Sequence, residues 1–189
     1  MKRGRNTAPG SVRIIGGRWR GTRLTVADRP GLRPTPDRVR ETLFNWLLPA
    51  LPGARVLDLF AGSGALGLES LSRGAAHATL VESDPVLASA LRDVAGRLEG
   101  GHAASVVQTE ALAWLATQPE GAFDIAFVDP PFAAELWDKV LALLLPKLGN
   151  GAWLYLESPT ELTPSLPPQW ALHRTGRTRE VRYALHRRC

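Results

Sequence analysis

Three glycines in Gly62-Ser-Gly64-Ala-Leu-Gly67 follow the strand-like run Arg55 to Phe60 and open a helical pattern from Ala65 to Arg73. A strand, a G-x-G-x-x-G turn and a helix in that order permit a tight turn and close backbone approach to a nucleotide. Such a loop works where a parallel strand feeds a crossover helix, and the rest of the chain keeps that rhythm. Further strands are predicted at Ala78–Val81, Ser105–Gln108, Phe123–Val128 and Ala152–Leu156. Between them, Asp84 and Pro85 cap a helix with Leu87, Leu91, Val94 and Leu98 on one face, and shorter helices are predicted at Ala111–Ala116 and Glu135–Leu145. Trp170–Arg174 and Val181–His186 are strands with no helix between them, an antiparallel edge pair. The expected fold is α/β, a doubly wound, mostly parallel seven-stranded sheet.

Ahead of that body, Val12–Ile15 and Thr22–Val26 read as a hairpin with a glycine-rich connection. Thr35 then suits an N-cap and Pro36 the first position of a helix running to about Leu48, with Val39, Leu43 and Leu47 inward. The expected organisation is a disordered basic tail at 1–10, a hairpin and helix extension at 11–52, and a Rossmann-like domain at 53–189. The longest apolar run, Val140 to Leu145, is too short for a membrane span, and no apolar segment follows the basic start as a secretory signal requires. One cysteine, Cys189, excludes an intrachain disulfide and a multi-cysteine zinc site. His77, His102, His173 and His186 show no metal-ligand spacing. No metal, no membrane and a cytoplasmic monomer are the expectations.

Charge is unevenly spread. Residues 1–52 carry 11 Lys/Arg against 3 Asp/Glu, residues 53–170 carry 6 against 14, and residues 171–189 carry 6 against 1. An acidic body between two basic ends suggests a polyanion gripped by the ends. Candidate contacts are Arg13, Arg18, Trp19, Arg20, Arg33, Arg38 and Arg40, where arginines for phosphates lie among an aromatic for bases.

The chemistry is expected at Asp129-Pro130-Pro131-Phe132. Two prolines end the strand before them and leave a carboxylate at its carboxyl end, with an aromatic plate close by. Acceptors and a plate suit a planar base bearing an exocyclic amine. Glu82, 18 residues after Gly64, can accept ribose hydroxyls, as the motif requires of an adenosine cofactor. NAD, FAD and S-adenosylmethionine share that ribose, but Asp58 beside the loop would repel a pyrophosphate and suits a cationic sulfonium. Asp58 could equally tie down the loop through backbone N–H groups. The expected cofactor contacts are Asp58, Phe60, Ala61, Gly62, Ser63, Gly64, Glu82, Ser83, Glu110 and Ala111. Glu157 ends the fifth strand and could face the site, although a structural role is the first reading.

With these residues assembled, the chain resembles the RsmD family, bacterial methyltransferases of small-subunit ribosomal RNA. The resemblance rests on Arg13-Ile-Ile-Gly-Gly-Arg-Trp-Arg-Gly21, Arg33-Pro-Thr-Pro-Asp-Arg-Val-Arg-Glu-Thr-Leu-Phe-Asn45, Asp58 to Glu69, Val128-Asp-Pro-Pro-Phe132 and Val-x-Tyr-x-Leu at Val181 to Leu185. Two departures are Arg177-Thr-Arg-Glu-Val181, where the family tends to a Gly-Gln pair, and Glu110, where Asp is commoner. The resemblance implies S-adenosyl-L-methionine as cofactor, transfer to a guanine N2 amine of 16S rRNA, and the small ribosomal subunit or its precursor as partner. The alternatives are a DNA adenine-N6 or protein glutamine methyltransferase using the same tetrapeptide, a nicotinamide oxidoreductase, and a non-catalytic RNA-binding assembly factor.

Overall fold

The computed structural model describes residues 10–26, 35–130 and 136–189. Arg33, Pro131, Phe132 and residues 1–9 of the expected tail lie outside them. Strands β1 (Gly10–Arg13) and β2 (Arg23–Val26) form an antiparallel hairpin, and α1 spans Asp37–Leu47. Then follow β3 (Arg55–Asp58), α2 (Ala65–Ser72), β4 (His77–Glu82), α3 (Pro85–Arg97) and β5 (Ala104–Gln108). The second half holds α4 (Ala111–Leu115), β6 (Phe123–Val128), α5 (Leu136–Leu144), β7 (Leu148–Pro159), β8 (Trp170–Arg177) and β9 (Val181–Arg188).

The main sheet has seven strands in the order β5-β4-β3-β6-β7-β9-β8, all running the same way except β9, which is antiparallel to both its neighbours. The chain winds outward from β3 to β5, returns to β6 on the other side of β3, and winds outward again. That reversal opens a crevice beyond the carboxyl ends of β3 and β6, where open α/β sheets bind ligands. Side chains alternate across the strands, so the two faces bury different sets. One face (Val56, Ile125, Phe127, Tyr155, Leu185) packs with α1, α2, α3 and the hairpin. The other (Leu57, Ala126, Val128, Leu154, Leu156) packs with α4 and α5. Each fully buried Leu, Ile or Phe contributes about 1.5–3 kcal/mol relative to exposure.

The N-terminal segment shares this core. Val12, Ile14, Trp19 and Leu24 of the hairpin and its loop lie in one cluster with Leu43, Phe44 and Leu47 of α1 and with the sheet. Phe44 meets Phe127 edge-on at 6.0 Å, and Trp46 stacks on Tyr183 at 5.8 Å. Two expectations change here. Thr35 does not cap α1: the N-cap position is Pro36, and the Thr35 hydroxyl donates 122 residues away to Glu157 at 3.0 Å. Strand β7 is also longer than Ala152–Leu156, because β9 supplies it with ladder partners from Trp153 to Pro159. Asp84 caps α3 as predicted, accepting from the N–H groups of Val86 and Leu87.

Candidate active site

Asp58 is the last residue of β3 and Glu82 the last of β4, so both carboxylates stand at the carboxyl edge of the sheet beside the glycine loop. Each also fastens that loop. Asp58 accepts from the Gly67 N–H at 2.9 Å, and Glu82 accepts from Gly62 at 2.8 Å and Asp84 at 2.8 Å. Leu59 and Ala61 donate to the carbonyls of Phe127 and Val81, tying the loop's start to the flanking strands. Gly64 is left-handed at φ 74°, and a Cβ there would lie 2.4 Å from the Leu91 side chain. The loop therefore keeps its shape with glycine at that position. Ser63 is half-buried, Phe60 partly exposed, and Ser83 exposed on the same rim. Glu110 is exposed at the N-cap position of α4, just past the end of β5, and Ala111 is buried behind it.

Asp129 and Pro130 follow β6 directly and are half-buried. Phe127 pairs with Asp58 on one side and Tyr155 on the other, so one sheet face carries Asp58, then Asp129 and Glu157 one step further out. Burial, reinforced by the negative charges of Glu157 and Asp58, pushes the Asp129 carboxyl well above the ordinary range. Burial raises Glu157 too, opposed by hydroxyl donors from Tyr155 and Thr35, each at 3.0 Å. Asp58 rises to about 7, chiefly by burial. Three carboxylates on one face, each raised chiefly by burial, fit a cationic ligand. This donor set matches a sulfonium amino acid and opposes a pyrophosphate. Among the described residues no group of three His, Cys, Asp or Glu could hold a metal, and no helix is long and apolar enough to cross a membrane.

The expected nucleic-acid contacts divide. Arg13, Arg18, Arg20 and Arg38 are exposed, as is Arg23 beside them. Arg40 and Trp19 must be reassigned, because both are buried. Arg40 is fully enclosed and donates to Asp37 at 2.6 Å, to the carbonyls of Arg13 and Thr35, and to Glu69 at 3.5 Å. Trp19 is 6% exposed, and its indole N–H donates to the Glu99 carbonyl at 3.0 Å. Its place on the surface is taken by Arg18, which lies over the ring at 4.5 Å.

Glu69, Ser72 and Tyr155 take on roles that the sequence alone does not assign. Glu69 is fully buried on α2 and accepts from the N–H groups of Ile15 and Gly16, each at 2.8 Å, from Arg73 at 2.7 Å and from Arg40. Ser72 accepts from the Trp19 N–H and donates to the Gly16 carbonyl. The hairpin loop is thus pinned to the helix that the glycine turn opens. The available signal was an acid in the middle of an otherwise apolar helix, Ala65-Leu-Gly-Leu-Glu-Ser-Leu-Ser72.

Comparison with known proteins agrees with this arrangement. The family model described as Conserved hypothetical protein 95 matches residues 12–187. The ribosomal RNA small subunit methyltransferase D of Escherichia coli (strain K12) is 48% identical over 191 residues, covering 100% of this chain and 96% of that protein. The solved yhhF protein of Escherichia coli superimposes with a TM-score of 0.86 at 46% identity, covering 95% of this chain and 98% of that one. A more distant solved structure shares the fold with a TM-score of 0.72 at 24% identity, covering 96% of this chain and 50% of the other. It is a Thermus thermophilus 16S rRNA N2 G1207 methyltransferase in complex with AdoMet and guanosine. The glycine loop, the acid-lined crevice and a match over nearly the whole chain place this protein in the ribosomal RNA small subunit methyltransferase D family.

Proposed function

We propose that the protein transfers the methyl group of S-adenosyl-L-methionine to the exocyclic N2 amine of a guanine in 16S rRNA, within the small subunit or its precursor. The observation that carries this reading is Asp129, held beyond the end of β6 at the crevice, on the same sheet face as Asp58. The names of the full-length relatives support it. In solution the protein is a cytoplasmic monomer that meets its substrate through the basic ends.

The cofactor supplies a methyl group on a cationic sulfur. The glycine loop and Glu82 would hold its adenosine end, with Ser83, Glu110 and Ala111 on the rim, and Asp58 would face its positive charge. Asp129 and the Pro130 carbonyl accept the two amine hydrogens of the base, which aims the nitrogen lone pair that guanine otherwise delocalises into its ring. Phe132, next but one in the chain, is the proposed stacking plate, with Pro131 between them in the tetrapeptide. Positioning of this kind supplies most of the acceleration. The target base must leave its stack to reach the crevice, as RNA loops permit. Exposed Arg13, Arg18, Arg20 and Arg38, together with Arg33, would hold the surrounding phosphates.

The test is Asp129→Ala. Turnover falls by at least about 1,000-fold, the loss of a group that orients and stabilises the reacting centre, while calorimetry still detects cofactor binding. Full activity in the variant would refute the assigned role.

A further inference from the structure

Glu157 is buried next to the reacting carboxylate with no role in the mechanism above. In the parallel β6–β7 ladder Phe127 pairs with Tyr155 and Val128 with Leu156, so Asp129 and Glu157 are the next cross-strand neighbours. Neighbouring strands lie about 4.8 Å apart, so the register carried one step past the end of β6 sets the two residues on one face, near enough for the charge of Glu157 to act on Asp129. Glu157 is 6% exposed and fixed by two hydroxyl donors to the same oxygen, Tyr155 from β7 and Thr35 from the residue pair preceding α1. Among the described residues, the groups facing the pair are Asp58 from β3, Tyr155 from β7, Tyr183 from β9, and Thr35. None of these is a cation. The buried cation of α1, Arg40, is bound instead to Glu69 and Asp37.

Resting on the methyl-transfer reading, we propose that Glu157 is a positioning residue whose negative charge makes Asp129 basic enough to take the proton released at the methylated amine. Once the methyl carbon has moved from sulfur to nitrogen, with the old bonding pair left on a neutral thioether sulfur, the amine nitrogen carries one proton too many. That proton passes to the Asp129 carboxylate, the N–H electron pair stays on nitrogen as the neutral secondary amine, and the proton leaves to water as product departs. A fixed like charge beside Asp129 raises its proton affinity, and the hydroxyls of Thr35 and Tyr155 favour the charged form of Glu157 against the burial that disfavours it. Because Thr35 directly follows the segment carrying Arg33, the same contact links the entry of α1 to the acid pair.

The experiment compares wild type, Glu157→Gln and Glu157→Asp as full-length proteins. A glutamine oxygen still accepts from both hydroxyls, so the packing survives while the charge goes. In ligand-free protein the Asp129 carboxyl, followed by carbon NMR, titrates at lower pH in Glu157→Gln than in wild type. In single turnover on small subunits, the rising limb of the rate moves to lower pH in that variant. Its plateau falls about tenfold, within the range for a weakened proton acceptor, with cofactor affinity held within about twofold. Glu157→Asp keeps the charge and both wild-type titrations. An Asp129 titration that does not move, or equal losses in the two variants, would overturn the proposal and leave Glu157 a packing group. A wild-type enzyme that methylates no guanine would remove the underlying reading and this inference together.

Discussion

Burial, with the charge of Glu82 adding to it, raises the Asp58 carboxyl to about 7, against the Gly67 N–H that favours the anion. A carboxyl raised in the folded state is stabilising while protonated, and that stability is lost as pH climbs through about 7. A cation bound beside Asp58 reverses the preference, since it favours the charged form. Cofactor affinity should therefore weaken as pH falls from 8 to 6, by up to about tenfold where binding requires the anion. Calorimetric titration at the two pH values checks this, and Asp58→Asn should flatten the dependence. An affinity that is unchanged with pH in the wild type would mean that Asp58 serves only to hold the loop. Arg40 shows how far single residues were legible. It lies at i, i+4 and i+7 with Phe44 and Leu47, the buried stripe of α1, so periodicity pointed inward even though composition suggested a phosphate contact. Trp19 gave no comparable sign, because its partner carbonyl is 80 residues away.

Among the elements, α2 joins the two halves of the site. Its N-terminus opens from the glycine loop at Gly64, and its buried Glu69 receives two hairpin N–H groups and two arginines. Gly17 follows from the same contact: at φ 75° its Cβ would lie 1.8 Å from the Ser72 carbonyl oxygen, closer than any side chain can sit. Removing Glu69 leaves the Ile15 and Gly16 N–H groups and the Arg73 guanidinium without their acceptor and takes one of two carboxylates from the fully buried Arg40, which keeps Asp37. Glu69→Ala should cost about 3–5 kcal/mol, measured by urea unfolding, with the amides of Ile15 and Gly16 losing hydrogen-exchange protection first. A loss below about 1 kcal/mol would show that water or rearranged partners replace the carboxylate. The strand-and-helix pattern of the body was legible because periodicity and glycine turns are local signals. The contacts of Glu69 with the hairpin and of Thr35 with Glu157 were not. They join residues 53, 54 and 122 positions apart, and nothing local specifies them.

At the scale of the whole molecule, the basic hairpin and the acid-lined crevice lie on one continuous core, so grip and chemistry keep a fixed relation. The doubly wound order followed from the sequence because right-handed crossovers leave few other arrangements for strands that alternate with helices. The same core accounts for the length of β7, which depends on β9 returning from the chain's end. Grip by phosphates predicts salt dependence. Replacing both exposed Arg18 and Arg20 with Ala should reduce the slope of log affinity against log salt by about 1.5, at roughly 0.7–0.9 per lost phosphate contact. An unchanged slope would move the RNA interface elsewhere.

The most direct measurement is transfer of labelled methyl from S-adenosyl-L-methionine to small subunits purified from a strain lacking the enzyme, followed by nucleoside analysis of the RNA. Label is expected in the 16S rRNA as N2-methylguanosine, and none with Asp129→Ala. Label in another nucleoside, or in protein, would contradict the proposed reaction.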